Sequence, residues 1–311
     1  MPLLLVLGTE PLLAQDAAPP QTAATAQSGS NEGAHAKSAF ELRIEQTAQA
    51  LASEPRLKNF SPQERLAIVE FVFGNMLFAA AHELGHGVIR ELELPVLGRE
   101  EDAADAFAII AALWVGTDFS HRVLVEAVRG WFLSDARDEK VGATVAYYDE
   151  HGMNLQRAYQ IVCYMVGSDP QKFKDLAQET KLPEERQKGC QAEYREQLWS
   201  WETSLKPHRR APGAPKQKIE VTYGDAEGAL APYARSFRDT RFLETLIERV
   251  ADRFAWPRPL KMEMRTCGES GAVWKAGKLT LCYELAQEFS QLCREYGVNW
   301  KISTLVSRRR R

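Results

Sequence analysis

The chain has 311 residues, 45% apolar and 26% charged, with 39 Lys and Arg against 42 Asp and Glu. That length and composition suffice to bury one large core or two medium ones. A net charge of −3 leaves no electrostatic footprint for nucleic acid or for an acidic substrate.

In chain order, Met1-Pro-Leu-Leu-Leu-Val-Leu-Gly and Leu12-Leu-Ala-Gln have the apolar stretch and small residues of a secretory signal. They lack its positive n-region, and Glu10 interrupts them. Residues 16–38 are small and polar without periodicity and are expected to stay disordered. A signal of this kind places the protein in the periplasm or outside the cell; without it the chain stays in the cytoplasm. Residues 39–206 read as helix after helix. Ser61-Pro62-Gln63-Glu64 is a capping box with proline at the first helical position, and predicts a long buried helix running to about Arg90. Helices at about 99–116, 120–137, 154–167, 170–179 and 183–204 follow. Residues 207–217, rich in Pro, Lys and Arg, form a linker. Over 218–300, Ile219–Tyr223 and Leu260–Arg265 alternate as strands do. Ala272–Trp274 and Lys278–Cys282 flank the Lys275-Ala-Gly turn as a hairpin. Helices at about 236–255 and 284–296 bracket the strands, and residues 301–311 form a basic, solvated tail. No segment reads as a transmembrane span.

The five cysteines, Cys163, Cys190, Cys267, Cys282 and Cys293, form no CxxC pair, so a cysteine metal site is not indicated. In an exported protein Cys163 with Cys190 and Cys267 with Cys282 are plausible disulfides. In the cytoplasm all five are reduced, buried thiols.

His82-Glu83-Leu84-Gly85-His86 fits HExxH on a helix. Residues four apart project from one helical face, so both imidazoles can reach a single ion. Zinc accepts neutral imidazole nitrogen, and a catalytic site needs a third protein ligand and an open position. Glu83 then stands as general base for the attacking water. Fifteen residues after His86, Glu101-Asp102-Ala103-Ala104-Asp105 fits ExxxD, the third-ligand motif of the glutamate-type zinc peptidases. Glu101 is the candidate third ligand, with Glu100 its only close rival, and Asp105 is the candidate partner for a ligand histidine. A charged first turn favoured by the helix dipole accounts for Glu100 and Asp102 but not for Asp105, which lies among Ala103, Ala104, Ala106 and Phe107.

Asp149-Glu150-His151, with Arg157 six residues further on, resembles the catalytic pattern of the neprilysin-type zinc peptidases, although Met153 stands where those have proline. The resemblance implies that His151 and Arg157 are electrophiles for the oxyanion and that Asp149 orients His151. Tyr147 and Tyr148 are further donor candidates. The bland alternative is a helix-capping loop with ordinary surface charge.

HELGH, the 94–105 stretch, Tyr147–Gly152, Gln156–Cys163 and Leu279–Leu285 together resemble the mostly bacterial family labelled "putative metallopeptidase". That resemblance implies a zinc peptidase fold, usually exported, and no known substrate; the peptidase reading itself calls for a peptide or protein as substrate. Gly271 departs from it, because asparagine is expected before Ala272. The expected architecture is α+β, a helix-rich zincin-like metallopeptidase whose small C-terminal sheet packs against the zinc helices as the upper wall of the cleft. No Gly-x-Met-Glu-Asn amine-binding motif is present, which favours an endopeptidase over an aminopeptidase. The rival readings are a catalytically inactive zinc-binding scaffold or sensor, and a metal-free helical interaction module.

Overall fold

Among the described residues seven α-helices come first, and every strand follows them. A computed structural model describes residues 37–298 and 300–309, so the signal-like segment lies outside the described residues. The helices are α1 (Ala39–Ala50), α2 (Pro62–Glu91), α3 (Glu100–Val115), α4 (Asp118–Val141), α5 (Asn154–Ser168), α6 (Lys174–Glu179) and α7 (Glu184–Leu205). Then come β1 (Ile219–Tyr223), α8 (Ala231–Thr240), α9 (Phe242–Arg249), β2 (Leu260–Arg265), β3 (Ala272–Lys275), β4 (Lys278–Cys282), α10 (Tyr283–Tyr296) and α11 (Ile302–Arg309). The fold is α+β and rich in helix.

The reciprocal cap starts α2 where the sequence places it. The Glu64 carboxylate accepts from the Ser61 N–H at 2.8 Å, and Ser61 Oγ accepts from the Glu64 N–H at 3.3 Å. Two N–H groups that the first turn leaves without intrahelical partners are thereby satisfied. By length and composition α2 could cross a membrane, but most of its apolar window is buried inside the fold. The elements that cover it include α1, α3, α4, α10, β3 and β4. Phe71, Met76, Leu84 and Val88 are wholly buried.

The sheet has the order β1-β2-β4-β3. β1 and β2 are parallel, as are β2 and β4, while β3 and β4 form the antiparallel hairpin. Ala276 (φ 50°) and Gly277 (φ 77°) turn that hairpin, the two positive φ values that a two-residue turn matched to strand twist requires. Central β4 is buried along nearly all its length, whereas β2 alternates Leu260, Met262 and Met264 inward with Lys261 and Arg265 outward. Trp274, Leu279 and Leu281 share one hydrophobic core with Leu84 and Val88 of α2 and Phe107 of α3. The strands after residue 218 therefore pack back on α2.

Two local expectations change. The helix read over 236–255 is broken at Arg241, whose φ of 56° ends α8 and lets α9 start in a new direction. The segment read as a solvated tail forms α11 over Ile302–Arg309, with Ile302 buried in the same hydrophobic core as Val162 and Leu124. Its apolar residues Ile302, Leu305 and Val306 recur at helical spacing, which the flanking arginines hide in the composition. Disulfides join Cys163 to Cys190, between α5 and α7, and Cys267 to Cys282, while Cys293 is a buried free thiol.

Candidate metal centre

Two helices supply the core of the site, and their approach depends on one missing side chain. Gly85 lies between the two histidines on α2. A Cβ there would stand 3.0 Å from Cα and 3.1 Å from O of Ala104 on α3. Glycine thus lets α3 lie close against α2. Between the helices the chain reverses at Glu93 (φ 53°), and the Leu94 N–H returns to Ile89 O at 2.9 Å. α3 then starts at Glu100 and brings the Glu101 carboxylate over His82 and His86.

His82 Nε2 lies 3.1 Å from Glu101 Oε2, His86 Nε2 lies 3.3 Å from Glu101 Oε1, and the two Nε2 atoms are 3.2 Å apart. From the loop after α4, His151 Nε2 arrives 2.9 Å from Glu101 Oε2. His82, Glu101 and His151 present ligand atoms that all lie within 4.8 Å of one another. Both α2 histidines are buried, and His151 is half-exposed.

Every one of these histidines has a carboxylate at its other ring nitrogen. Asp105 Oδ1 is 2.7 Å from His82 Nδ1, Glu100 Oε1 is 2.7 Å from His86 Nδ1, and Asp149 Oδ1 is 3.1 Å from His151 Nδ1. A carboxylate accepts, so it fixes the proton on Nδ1 and turns the Nε2 lone pair toward the common centre. Glu101 Oε2 is buried, and despite two nitrogens within 3.1 Å no N–H points at it in hydrogen-bonding geometry. Lone pairs facing lone pairs around a buried oxygen repel unless a cation or a proton lies between them. Three imidazoles and one carboxylate are the donor set of zinc or a similar borderline cation, so these residues fit the ion that the motif implies.

The electrostatics agree. Burial raises the pKa of Glu101, but His82, His86 and His151 outweigh it and hold the carboxyl down at about 2. Burial alone would lower that of His82, yet Asp105 and Glu101 lift it to about 9.

Arg157 differs from the sequence expectation. Its Nε and Nη2 both donate to Asp105, each at 2.6 Å, and its guanidinium lies 3.9 Å from the centre of the Trp131 ring. Two of its three nitrogens are spent on the carboxylate that holds His82, so it supports a ligand instead of facing the centre as an electrophile. Asp149 accepts from both the backbone N–H and Nδ1 of His151, and those bonds lower its pKa. Tyr147 and Tyr148 are almost fully exposed.

Sequence reasoning passed over three participants. Glu100 considered as a ligand rival is instead the partner of His86, itself held by Arg90 Nε at 2.8 Å. Trp131 lies under Arg157. The backbone N–H of Trp274, in β3, donates to Glu83 Oε2 at 2.7 Å. For Glu100 the signal was there: two acidic residues begin a helix opposite two histidines.

No curated protein and no solved structure matches the chain. Residues 43–205, more than half of the chain and the part that carries every side chain of the centre except Glu83's partner strand, match the sequence model of the family described as "putative metallopeptidase", and the chain belongs to that family.

Proposed function

We propose that this protein is a zinc-dependent endopeptidase in which His82, His86 and Glu101 hold the ion and Glu83 carries the proton. The observation that supports this most is the convergence of imidazole Nε2 atoms on Glu101, each imidazole pinned by its own carboxylate. Zinc bound there supplies a Lewis acid that polarises a peptide carbonyl and acidifies water.

The chain's own residues do the rest. Glu83 takes the proton from the attacking water and delivers it to the leaving amine. The Trp274 N–H occupies Oε2, which leaves Oε1 as the proton acceptor. In that step His151 acts as the doubly protonated imidazolium: its Nε2–H donates to the developing oxyanion, and Asp149 at Nδ1 balances the charge. Asp105 and Arg157 keep His82 in place. β3 is an outer strand of the sheet. Gly271 O accepts from Cys282 N, so residues 271, 273 and 275 face β4, and the backbone groups of Ala272 and Trp274 face away from it. The Trp274 N–H is taken by Glu83; an extended peptide can pair with the other outward groups, which suits internal cleavage. The two disulfides favour an oxidising compartment, in keeping with a periplasmic or secreted protein.

Purified full-length protein is expected to contain one zinc per chain by elemental analysis and to cleave casein. A chelator should stop the cleavage, and added zinc should restore it. Zinc without cleavage of casein or of a peptide library would point to a scaffold, and absence of bound metal would remove the proposal altogether.

A separate result assigns His151. His151→Ala is expected to keep full zinc occupancy while kcat falls by about 10²–10³-fold, the usual cost of one oxyanion donor. Loss of zinc in that variant would make His151 a ligand.

A further inference from the structure

Neighbouring stripes of α2 serve different partners. His82, His86 and Arg90, each four residues apart, face the carboxylates of α3. One position round the helix, Glu83, Gly87 and Glu91 form a second stripe, and all three meet the same residue of β3. Glu83 Oε2 accepts from the Trp274 N–H at 2.7 Å. Gly87 seats the indole: a Cβ on it would lie 2.7 Å from Cε2 and 2.8 Å from Cδ2 and Cζ2 of Trp274. Glu91 Oε1 lies 3.4 Å from Trp274 Nε1, and Glu91 is itself fixed by Arg258, whose Nε and Nη2 donate to it at 2.6 and 2.7 Å.

We propose that Trp274 is a positioning residue for Glu83, its indole seated on Gly87 so that its backbone N–H meets the carboxylate. This inference rests on the reading of Glu83 as proton carrier. The indole is 2% exposed and stacks against Trp256 with ring centres 6.2 Å apart, so it has no other place to go. The ring seat is the main anchor, because a 3.4 Å contact to Glu91 is at the long limit for a hydrogen bond. The device joins residues 191 apart in sequence. It also brings a strand outside the family-matched span 43–205 into contact with the HExxH helix. A strand displaced by about 1 Å would lose the bond that orients the carboxylate, and misplacement on that scale costs about 10²-fold in rate.

The test uses three full-length variants, with zinc content, kcat, KM and amide exchange over 272–275 as readouts. The substrate is a fluorogenic peptide copied from the best casein cleavage site. Gly87→Ala should keep one zinc per chain and a KM within about threefold, while kcat falls by at least about tenfold and β3 amides exchange at least about tenfold faster. Trp274→Leu, which adds no atom beside the metal helix and covers the case in which Gly87→Ala fails to fold, should behave alike. Trp274→Phe, which keeps a ring on Gly87, should retain kcat within about threefold. Zinc-loaded Gly87→Ala or Trp274→Leu with kcat and β3 exchange within about twofold of the unaltered protein would overturn the proposal. If the unaltered protein cleaves nothing, the peptidase reading fails, and β3 exchange alone decides the seat: faster exchange in the variants supports it, and unchanged exchange overturns it.

Discussion

Glu83→Gln is expected to lower kcat by about 10²–10⁴-fold, the usual contribution of a positioned general base, without loss of zinc. The amide keeps the shape of the carboxylate, and its oxygen can still accept from the Trp274 N–H, as Oε2 does now at 2.7 Å. What it loses is the ability to take a proton from water and pass it to the departing amine. The imidazole pair and Glu101 are untouched, so metal content should stay at one per chain. Turnover of casein measured beside elemental analysis separates the two effects. A Gln variant that cleaves at the original rate would show that some other group moves the proton.

The second large effect is expected on stability. Asp105 is 3% exposed and accepts from His82 and, twice, from Arg157. Burial works against its charge, but His82 and Arg157 overcome that cost and hold its carboxyl below the usual range. Asp105→Ala leaves the Arg157 guanidinium without its counter-ion in a mostly buried position over the Trp131 ring. Breaking one side of such a pair costs about 3–5 kcal/mol, which for a chain of this size lowers Tm by on the order of 10 °C. Loss of the carboxylate behind a ligand histidine should also weaken zinc binding about 10–100-fold. Asp102, on the same helix, is the control. It is half-exposed and pairs with Arg99, so Asp102→Ala should cost less than about 1 kcal/mol. Thermal melts with a zinc titration check both; equal melts for the two variants would contradict the account.

Much of the centre was legible in the sequence because it is built from helical spacing. His82 and His86 had to share a face, and so did Glu101 and Asp105; the distances across α2 and α3 follow from those two registers. The hairpin and the strands after 218 were legible from alternation and from one turn. What the sequence hid is what depends on distant packing. Nothing local says that Arg157 turns to Asp105, 52 residues earlier, instead of facing the oxyanion. Nothing marks Trp274 as the neighbour of Glu83, because a tryptophan in a strand looks like any core residue. The break at Arg241 escaped notice because the apolar residues on both sides keep helical period, and only a positive φ separates them. Glu100 was passed over as the partner of His86 because adjacent acidic residues at a helix start look interchangeable until the two imidazoles are in place.

An anomalous-scattering map collected at the zinc absorption edge tests the centre most directly. The account predicts one peak per chain, within bonding distance of His82 Nε2, His86 Nε2 and a Glu101 oxygen, with Glu83 beside it but not bonded to it. A crystal soaked in zinc that shows no peak there, with Glu101 turned out to solvent, would contradict it.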